Sequence, residues 1–196
     1  MFEQSKAARR RYFDGAFVGR YFVGRGIDIG AGGDPLGNYR AAFPLMGEVV
    51  AWDIPDGDAQ YMPGIDDGSF DFVHSSHCLE DMRDVREALR SWTRILKPGG
   101  FLVITVPDED LYEHGHWPSR FNGQHRWSFT ICKAESAMPR SVNVVDLARE
   151  FSAQLELERL ALVRDFYRED LDPAIDQTTG PVAECAIEIV WRKRDG

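Results

Sequence analysis

The sequence predicts an α/β fold, a doubly wound and mostly parallel seven-stranded sheet with helices on both faces. Short apolar runs recur along the first half of the chain, separated by stretches long enough to hold a crossover helix. The first run enters a glycine-rich turn, and a later stretch has the period of an amphipathic helix. Because such alternation needs crossover connections, the strands should lie parallel within a covered sheet.

The individual elements follow from these patterns in chain order. The predicted strands of the first half begin near Gly24 and cover 48–52, 70–75 and 101–106. Val85, Leu89 and Trp92 fall on one helical face, so 85–96 predicts a helix that ends before Pro98-Gly99-Gly100. A weaker helical pattern covers 144–151, and 156–165 and 182–192 predict terminal strands that pair antiparallel.

The length of 196 residues favours one domain over the whole chain, 1–196. The stretch 107–141 is rich in Pro, Gly and aromatic residues and has no sustained period. We therefore expect it to be an inserted lid, placed after strand 5 of the sheet, at the carboxyl edge.

Charge argues against a nucleic-acid partner. The chain has 23 basic and 32 acidic residues, a formal net charge of −9, whereas nucleic-acid affinity depends largely on Lys and Arg. The only basic run, Lys6 to Arg11, is short, and we expect it to be the solvated face of a helix.

The three cysteines are widely spaced and odd in number, which fits neither a disulfide framework nor a Cys-x-x-Cys metal site. The histidine-containing cluster at 74–78 begins on a strand, where residues three apart lie on opposite faces, and the one at 113–116 lacks a matching distal pair, so we expect no metal. No apolar stretch approaches the ~18 residues of a membrane span, and the N-terminus lacks the apolar core of a signal peptide. These features predict a cytoplasmic protein with no membrane span.

The glycine-rich turn and two aspartates predict a nucleoside site. In an open α/β sheet, ligands bind beyond the carboxyl ends of the strands. Gly30, Gly32 and Gly33 allow positive φ and a close approach of ligand to backbone. Asp53 follows the second strand, where a carboxylate can accept bonds from both ribose hydroxyls, and Asp58 lies in the next loop, within reach of an adenine amino group.

Five ordered motifs support this interpretation. They are Asp28-Ile-Gly-Ala-Gly32, Asp53, Gly57-Asp58-Ala59, Asp67-Gly-Ser-Phe-Asp-Phe-Val-His-Ser-Ser-His-Cys-Leu-Glu80 and Arg94-Ile-Leu-Lys-Pro-Gly-Gly100. In this order they resemble the motifs of class I S-adenosylmethionine-dependent methyltransferases, with a Rossmann-like fold. The resemblance covers roughly residues 24 to 107. It is nearest to the methyltransferase type 11-like group, which includes quinone-biosynthesis C-methyltransferases and many small-molecule O- and N-methyltransferases.

Two further segments resemble a bacterial subgroup associated with cell-surface polysaccharide assembly. They are Val106-Pro-Asp-Glu-Asp-Leu-Tyr112 and the tail that contains Asp176-Gln-Thr178 and Ala183-Glu184. The resemblance implies transfer of a methyl group from S-adenosylmethionine to a small or medium-sized acceptor, with a sugar or glycan hydroxyl favoured. Aromatic hydroxyl, amine and carbon acceptors stay open, as does the oligomeric state.

The resemblance also implies a set of cofactor-binding residues. They are Asp28, Gly30, Ala31, Gly32, Gly33, Asp53, Ile54, Asp58, Ala59, Ser76 and His77. It implies that the turn packs against the methionine portion, that Asp53 holds the ribose, and that Asp58 and Ala59 address the adenine. Ser76 and His77 would line the methyl-donor side. One departure is that many relatives have Leu-Glu-His where this chain has Leu79-Glu80-Asp81.

A hydroxyl acceptor needs a base, and histidine titrates near neutrality. His114, His116 and His125 all lie in the expected lid. We expect His125 to be the catalytic base because Arg126 and Trp127 could form a pocket rim beside it, and His116 is the second candidate. His77 on the donor side, or no base at all, is the alternative.

Two other functions compete with a methyltransferase. A non-catalytic S-adenosylmethionine-binding protein would keep the same glycines and Asp53. An NAD-dependent Rossmann oxidoreductase is disfavoured, because Pro35 stands where the third glycine of the dinucleotide fingerprint is expected.

Overall fold

The computed structural model describes residues 3–195. The helices are α1 (Glu3–Arg11), α2 (Val85–Ile95) and α3 (Val144–Glu150). The strands are β1 (Gly24–Ile29), β2 (Met46–Trp52), β3 (Phe70–Ser76), β4 (Leu96–Pro107), β5 (Ser128–Thr130), β6 (Ser141–Asn143), β7 (Leu155–Val163) and β8 (Ala186–Lys193). Short helical turns connect them, among them Leu36–Ala42, Ile54–Asp56 and Leu79–Asp81.

The main sheet has the strand order β2-β1-β3-β4-β8-β7. Strands β2, β1, β3 and β4 run parallel, while β8 is antiparallel to both β4 and β7. The doubly wound α/β class is therefore confirmed, but among residues 3–195 the main sheet has six strands rather than seven. The two remaining strands, β5 and β6, pair with each other in a separate parallel ladder and add no strand to the main sheet.

The 107–141 segment leaves β4, the fourth strand along the chain, and not the fifth as expected. Within it, a parallel bridge joins Asp108, directly after β4, to Phe129 in β5, and the side chain of Phe129 is wholly buried. The carboxylate of Glu109 accepts hydrogen bonds from the hydroxyls of Ser136 and Ser141. These contacts give the segment a fixed path without a regular period.

Helix α2 shows why the local patterns predict this fold well. Asp84 caps its first turn by accepting from the backbone NH groups of Arg86 and Glu87. The predicted apolar face is buried in the main core, with Leu89 and Trp92 wholly buried. The Trp92 indole NH donates to the Ala59 carbonyl at 2.8 Å, so the helix also fixes the loop after β2.

Helix α1 differs from the expected solvated basic face. Lys6 and Arg11 are buried, and the Lys6 ammonium donates to the carbonyls of Thr178 and Ala183. The Arg11 guanidinium donates to Glu188 at 2.8 Å, with both side chains wholly buried. The run looks solvated in sequence because, apart from Glu3 beside Lys6, the carboxylate and carbonyl partners that bury Lys6 and Arg11 lie more than 170 residues away.

Candidate functional site

A cleft opens at the carboxyl edge of the sheet, between the ends of β1 and β3. This is the topological switch point, because the chain leaves β1 toward β2 on one side while β3 lies on the other. A smaller cavity of about 320 Å³ and a larger one of about 600 Å³ meet there. The residues that line both are Gly30, Gly32, His77, Asp81 and Gln124.

The glycine turn after β1 forms the floor of the cleft. Gly30 and Gly32 have φ values of 76° and 53°, which favour glycine. A Cβ atom on Gly30 would lie 2.6 Å from the Cβ of Cys78, whereas one on Gly33 would meet nothing within 4 Å. The NH groups of Gly30 and Ala31 donate to the Trp52 carbonyl, which ties the turn to the end of β2. The turn thus presents bare backbone to the smaller cavity.

Asp53 stands at the tip of β2 and lines the larger cavity. Its carboxylate accepts from the backbone NH groups of Gly32 at 2.9 Å and Ile54 at 2.7 Å. A carboxylate can accept about four hydrogen bonds, so capacity remains for a ligand. The neighbouring Ile54 side chain is 89% exposed. An apolar surface of this kind beside a carboxylate suits a flat ring joined to a diol.

Asp58 and Ala59, to which the family resemblance gives the adenine side, line the same cavity. The Arg83 guanidinium donates to Asp58 at 2.6 Å and lowers the pKa of that carboxyl. The other Asp58 oxygen accepts from the backbone NH of Gln60. Asp58 therefore stays ionised, although part of its hydrogen-bonding capacity is already used by the protein.

The smaller cavity contains buried polar atoms that have no hydrogen-bond partner within residues 3–195. They include both amide atoms of Gln4 and the hydroxyl of Ser76. Asp28 also lines this cavity, but its two oxygens contact the His74 ring at 2.6 Å and the Leu36 NH at 2.7 Å. The residues of this cavity that carry a buried polar atom without a partner are thus Gln4, Ser76 and Asp81, while Asp28 mainly holds the turn.

A buried polar chain connects this cavity to helix α1. His74 contacts Asp28 through Nδ1, and its Nε2 lies 3.2 Å from the Arg11 guanidinium. Burial lowers the pKa of His74, and a neutral ring that donates to Asp28 and accepts from Arg11 fits both contacts. Arg11 in turn pairs with Glu188. The position of α1, and with it Gln4, is therefore coupled to the turn after β1.

An acidic group with two histidines lies beside the junction of the two cavities. Burial, followed by the charge of Glu80, raises the pKa of Asp81 to about 6. Glu80 is wholly buried, and its Oε1 lies 3.6 Å from His77 Nδ1 and 3.8 Å from His125 Nε2. His77 adopts a positive φ of 53°, and its NH donates to the Thr105 carbonyl, which turns the chain sharply after β3.

Neither predicted base lines the cleft. The His125 side chain is 4% exposed, and its Nδ1 lies 2.7 Å from Glu113. Burial disfavours its charged form, but the carboxylates of Glu113 and Glu80 raise the pKa of His125. His116 is exposed and contacts Arg120 at 3.0 Å. Their catalytic role stays a prediction.

The sequence reasoning missed Glu3 and Asp34, which line the smaller cavity, and four further polar residues of the cleft: Gln4, Asp81, Asn122 and Gln124. Only Asp81 carried a signal, as the departure from the Leu-Glu-His pattern. Gln4 lies in a helix whose docking depends on distant residues, and Asn122 and Gln124 lie in a segment without a regular period. Within the described chain, no three His, Cys, Asp or Glu side chains are grouped as metal ligands. Residues 3–195 also contain no helix long and apolar enough to cross a membrane.

Comparison with known proteins adds a family match. Residues 6–139 match the family model described as a methyltransferase domain. Ajmaline N-methyltransferase of Rauvolfia serpentina is 32% identical over 80 residues, which are 41% of this chain and 26% of that protein. The chain spans less than a third of the length of the curated relatives it matches.

Solved structures share the fold. An S-adenosylmethionine-dependent methyltransferase from Archaeoglobus fulgidus is similar with a TM-score of 0.60 at 16% identity, over 99% of this chain and 95% of that one. The 1,6-didemethyltoxoflavin-N1-methyltransferase of Burkholderia thailandensis, solved with 1,6-didemethyltoxoflavin and S-adenosylhomocysteine, has a TM-score of 0.56 at 18% identity. That match covers 98% of this chain and 81% of the other. At these identities the likeness concerns the fold.

Proposed function

Because this chain belongs to the methyltransferase domain family, we propose that it transfers the methyl group of S-adenosylmethionine to a small or medium-sized acceptor. A sugar or glycan hydroxyl is the favoured acceptor. The observation that carries the proposal is the cleft itself. It brings the Gly30–Gly33 turn, Asp53 and Ser76 to the ends of three neighbouring parallel strands, at the switch point of the sheet.

The residues of the cleft fit the two parts of the cofactor. The smaller cavity suits the methionine part, because the unpartnered Gln4 amide offers both a donor for a carboxylate and an acceptor for an ammonium group. The larger cavity suits the adenosine part, with Asp53 for the ribose hydroxyls and Ile54 for the adenine face. The bare turn at Gly33 leaves the room that a side chain would fill.

S-adenosylmethionine supplies a methyl group already activated as a sulfonium, so the chain contributes mainly position. Holding an acceptor in line can supply effective molarities of ~10⁵–10⁸ M in well-oriented systems. Asn122 and Gln124 of the 107–141 segment line the cleft. We propose that this segment is the acceptor-site lid, because amides pair readily with sugar hydroxyls.

A hydroxyl acceptor must also lose its proton. Of the two predicted bases, His125 has the better orienting partner, since Glu113 holds its Nδ1 and leaves Nε2 to exchange a proton. That nitrogen faces Glu80 rather than the cleft, so a base role requires a movement of the chain around residue 125. His116 would need a larger movement, because it is exposed and contacts Arg120.

We further propose that residues 1–196 form one domain, since the core of the main sheet draws on elements from β1 to β8. The three cysteines are free, which suits a reducing compartment such as the cytoplasm. The similarity of the 106–112 stretch to polysaccharide-assembly proteins is the reason to favour a glycan acceptor.

The test is a turnover assay with the purified chain. S-adenosylmethionine is supplied together with a panel of free sugars, nucleotide sugars, phenols and amines, and formation of S-adenosylhomocysteine is measured by mass spectrometry. We expect product only with a suitable acceptor, and most with hydroxylated sugars. Turnover confined to amines would overturn the glycan assignment. Binding of S-adenosylmethionine with no turnover across a broad panel would favour the non-catalytic alternative.

A further inference from the structure

Asp81 has a position that no other carboxylate of the cleft shares. Among the described residues that line both cavities, it is the only acidic one. Its Oδ1 is buried and has no hydrogen-bond partner within residues 3–195. A buried carboxylate oxygen without a partner is costly unless a ligand supplies one. Asp81 therefore places at the junction of the two cavities a carboxylate whose Oδ1 no described protein group engages.

This inference rests on the proposed function. If the methionine part occupies the smaller cavity and the adenosine part the larger one, the sulfur that joins them lies at the junction. We propose that Asp81 faces the sulfonium and makes the cleft selective for S-adenosylmethionine over S-adenosylhomocysteine. The substrate carries a positive charge on sulfur, whereas the product carries a neutral thioether. A carboxylate at that point therefore attracts the substrate and leaves the product without this interaction.

The other carboxylates of the cleft are less suited to this role. Both oxygens of Asp28 are engaged by His74 and Leu36. Asp53 lines only the larger cavity, and Asp58 is paired with Arg83. Asp81 is thus the carboxylate best placed to distinguish S-adenosylmethionine from S-adenosylhomocysteine by charge.

The groups around Asp81 determine when it carries its charge. Glu80 adjoins it on the same turn, His77 lies at the end of β3, and His125 and Arg126 come from the 107–141 segment. Burial and Glu80 favour the neutral carboxyl, while the histidines and Arg126 favour the ionised one. Since the pKa of Asp81 is raised to about 6, discrimination should be present above that pH and fade below it.

The test is calorimetry with S-adenosylmethionine and S-adenosylhomocysteine, which needs no knowledge of the acceptor. The quantity measured is the ratio of the product Kd to the substrate Kd. In Asp81→Asn we expect this ratio to fall on the order of tenfold at pH about 7.5, mostly through weaker binding of the substrate. In the wild type the ratio should also fall between pH about 7.5 and about 5.5, whereas in Asp81→Asn it should stay flat.

Two controls make the result specific. Asp53→Asn should weaken both compounds alike and leave the ratio unchanged, and Asp81→Glu should retain the discrimination because it keeps the charge. An unchanged ratio in Asp81→Asn, with both compounds still binding, would overturn the role of Asp81 alone. Failure of the wild type to bind either compound would instead overturn the proposed function. If Asp81→Asn does not fold, the inference is overturned when the ratio of product Kd to substrate Kd in the wild type does not change with pH.

Discussion

Asp53→Ala is the most informative change within the proposed adenosine side of the cleft. The substitution removes the acceptor that we assign to the ribose hydroxyls, and it also removes the partner of the Gly32 and Ile54 NH groups. These NH groups lie near solvent, so water can replace the lost carboxylate. We expect a loss of stability of about 1 kcal/mol, the usual effect of deleting such a cap, and a retained fold.

The effect on binding should be larger than the effect on stability. Hydrogen bonds to a charged group contribute about 1.5–3 kcal/mol each. Two such bonds with incomplete additivity correspond to a loss of about 2–4 kcal/mol. Affinity for S-adenosylhomocysteine should therefore fall roughly 30- to 700-fold, which calorimetry with the purified variant can measure.

Asp56→Ala is the matched control for this experiment. The Asp56 carboxylate accepts from the Asp53 backbone NH at 2.9 Å, so its loss disturbs the same turn but leaves the Asp53 carboxylate in place. A small change in affinity is expected. If Asp53→Ala binds S-adenosylhomocysteine as tightly as the wild type, or if both variants lose affinity equally, Asp53 does not hold the ribose.

Three further predictions concern catalysis and stability. Arg11→Ala should lower the free energy of unfolding by about 3 kcal/mol, measured by urea denaturation, because it leaves the buried Glu188 carboxylate without its closest partner; a loss below about 1 kcal/mol would contradict this account. His125→Ala or His116→Ala should reduce turnover with a hydroxyl acceptor by a factor of roughly 10²–10⁴ while donor affinity changes little. Full turnover in both variants would mean that the two histidines only pack the lid or line its rim. Asp81→Asn should be more stable than the wild type at neutral pH, because the pKa of Asp81 is raised from 3.8 to about 6 on folding and its ionisation therefore opposes folding. This difference should shrink as the pH falls toward about 4, and equal unfolding curves at neutral pH would contradict the buried environment of Asp81.

Local sequence patterns predict the turn and the strand ends that position the site. The turn at Gly30–Gly33 and the carboxylate of Asp53 each follow from one apolar run and the residue type that ends it, whereas Ser76 follows from the family resemblance. Because parallel strands place their carboxyl ends at one edge, these local predictions together locate the cleft. The helix at 85–96 was predicted for the same reason, since its apolar face and its stop signal are both local.

The features of the site that local patterns do not predict depend on contacts between distant parts of the chain. Gln4 reaches the cleft only because Lys6 and Arg11 are buried against residues near the C-terminus. The path of the 107–141 segment depends on the pairing of β5 with β6 and on the Glu109 carboxylate. The sequence predicts His125 as the catalytic base, but it does not reveal that the side chain lies between the carboxylates of Glu113 and Glu80. No local pattern encodes these partners.

The central claim is that the cleft between β1 and β3 binds S-adenosylmethionine. Calorimetric titration of the wild-type chain with S-adenosylmethionine, with S-adenosylhomocysteine and with NADH in parallel tests it most directly. We expect both S-adenosyl compounds to bind at one site per chain, with binding abolished or strongly weakened by Asp53→Ala, and NADH not to bind. Binding of NADH with no response to either S-adenosyl compound would contradict the assignment.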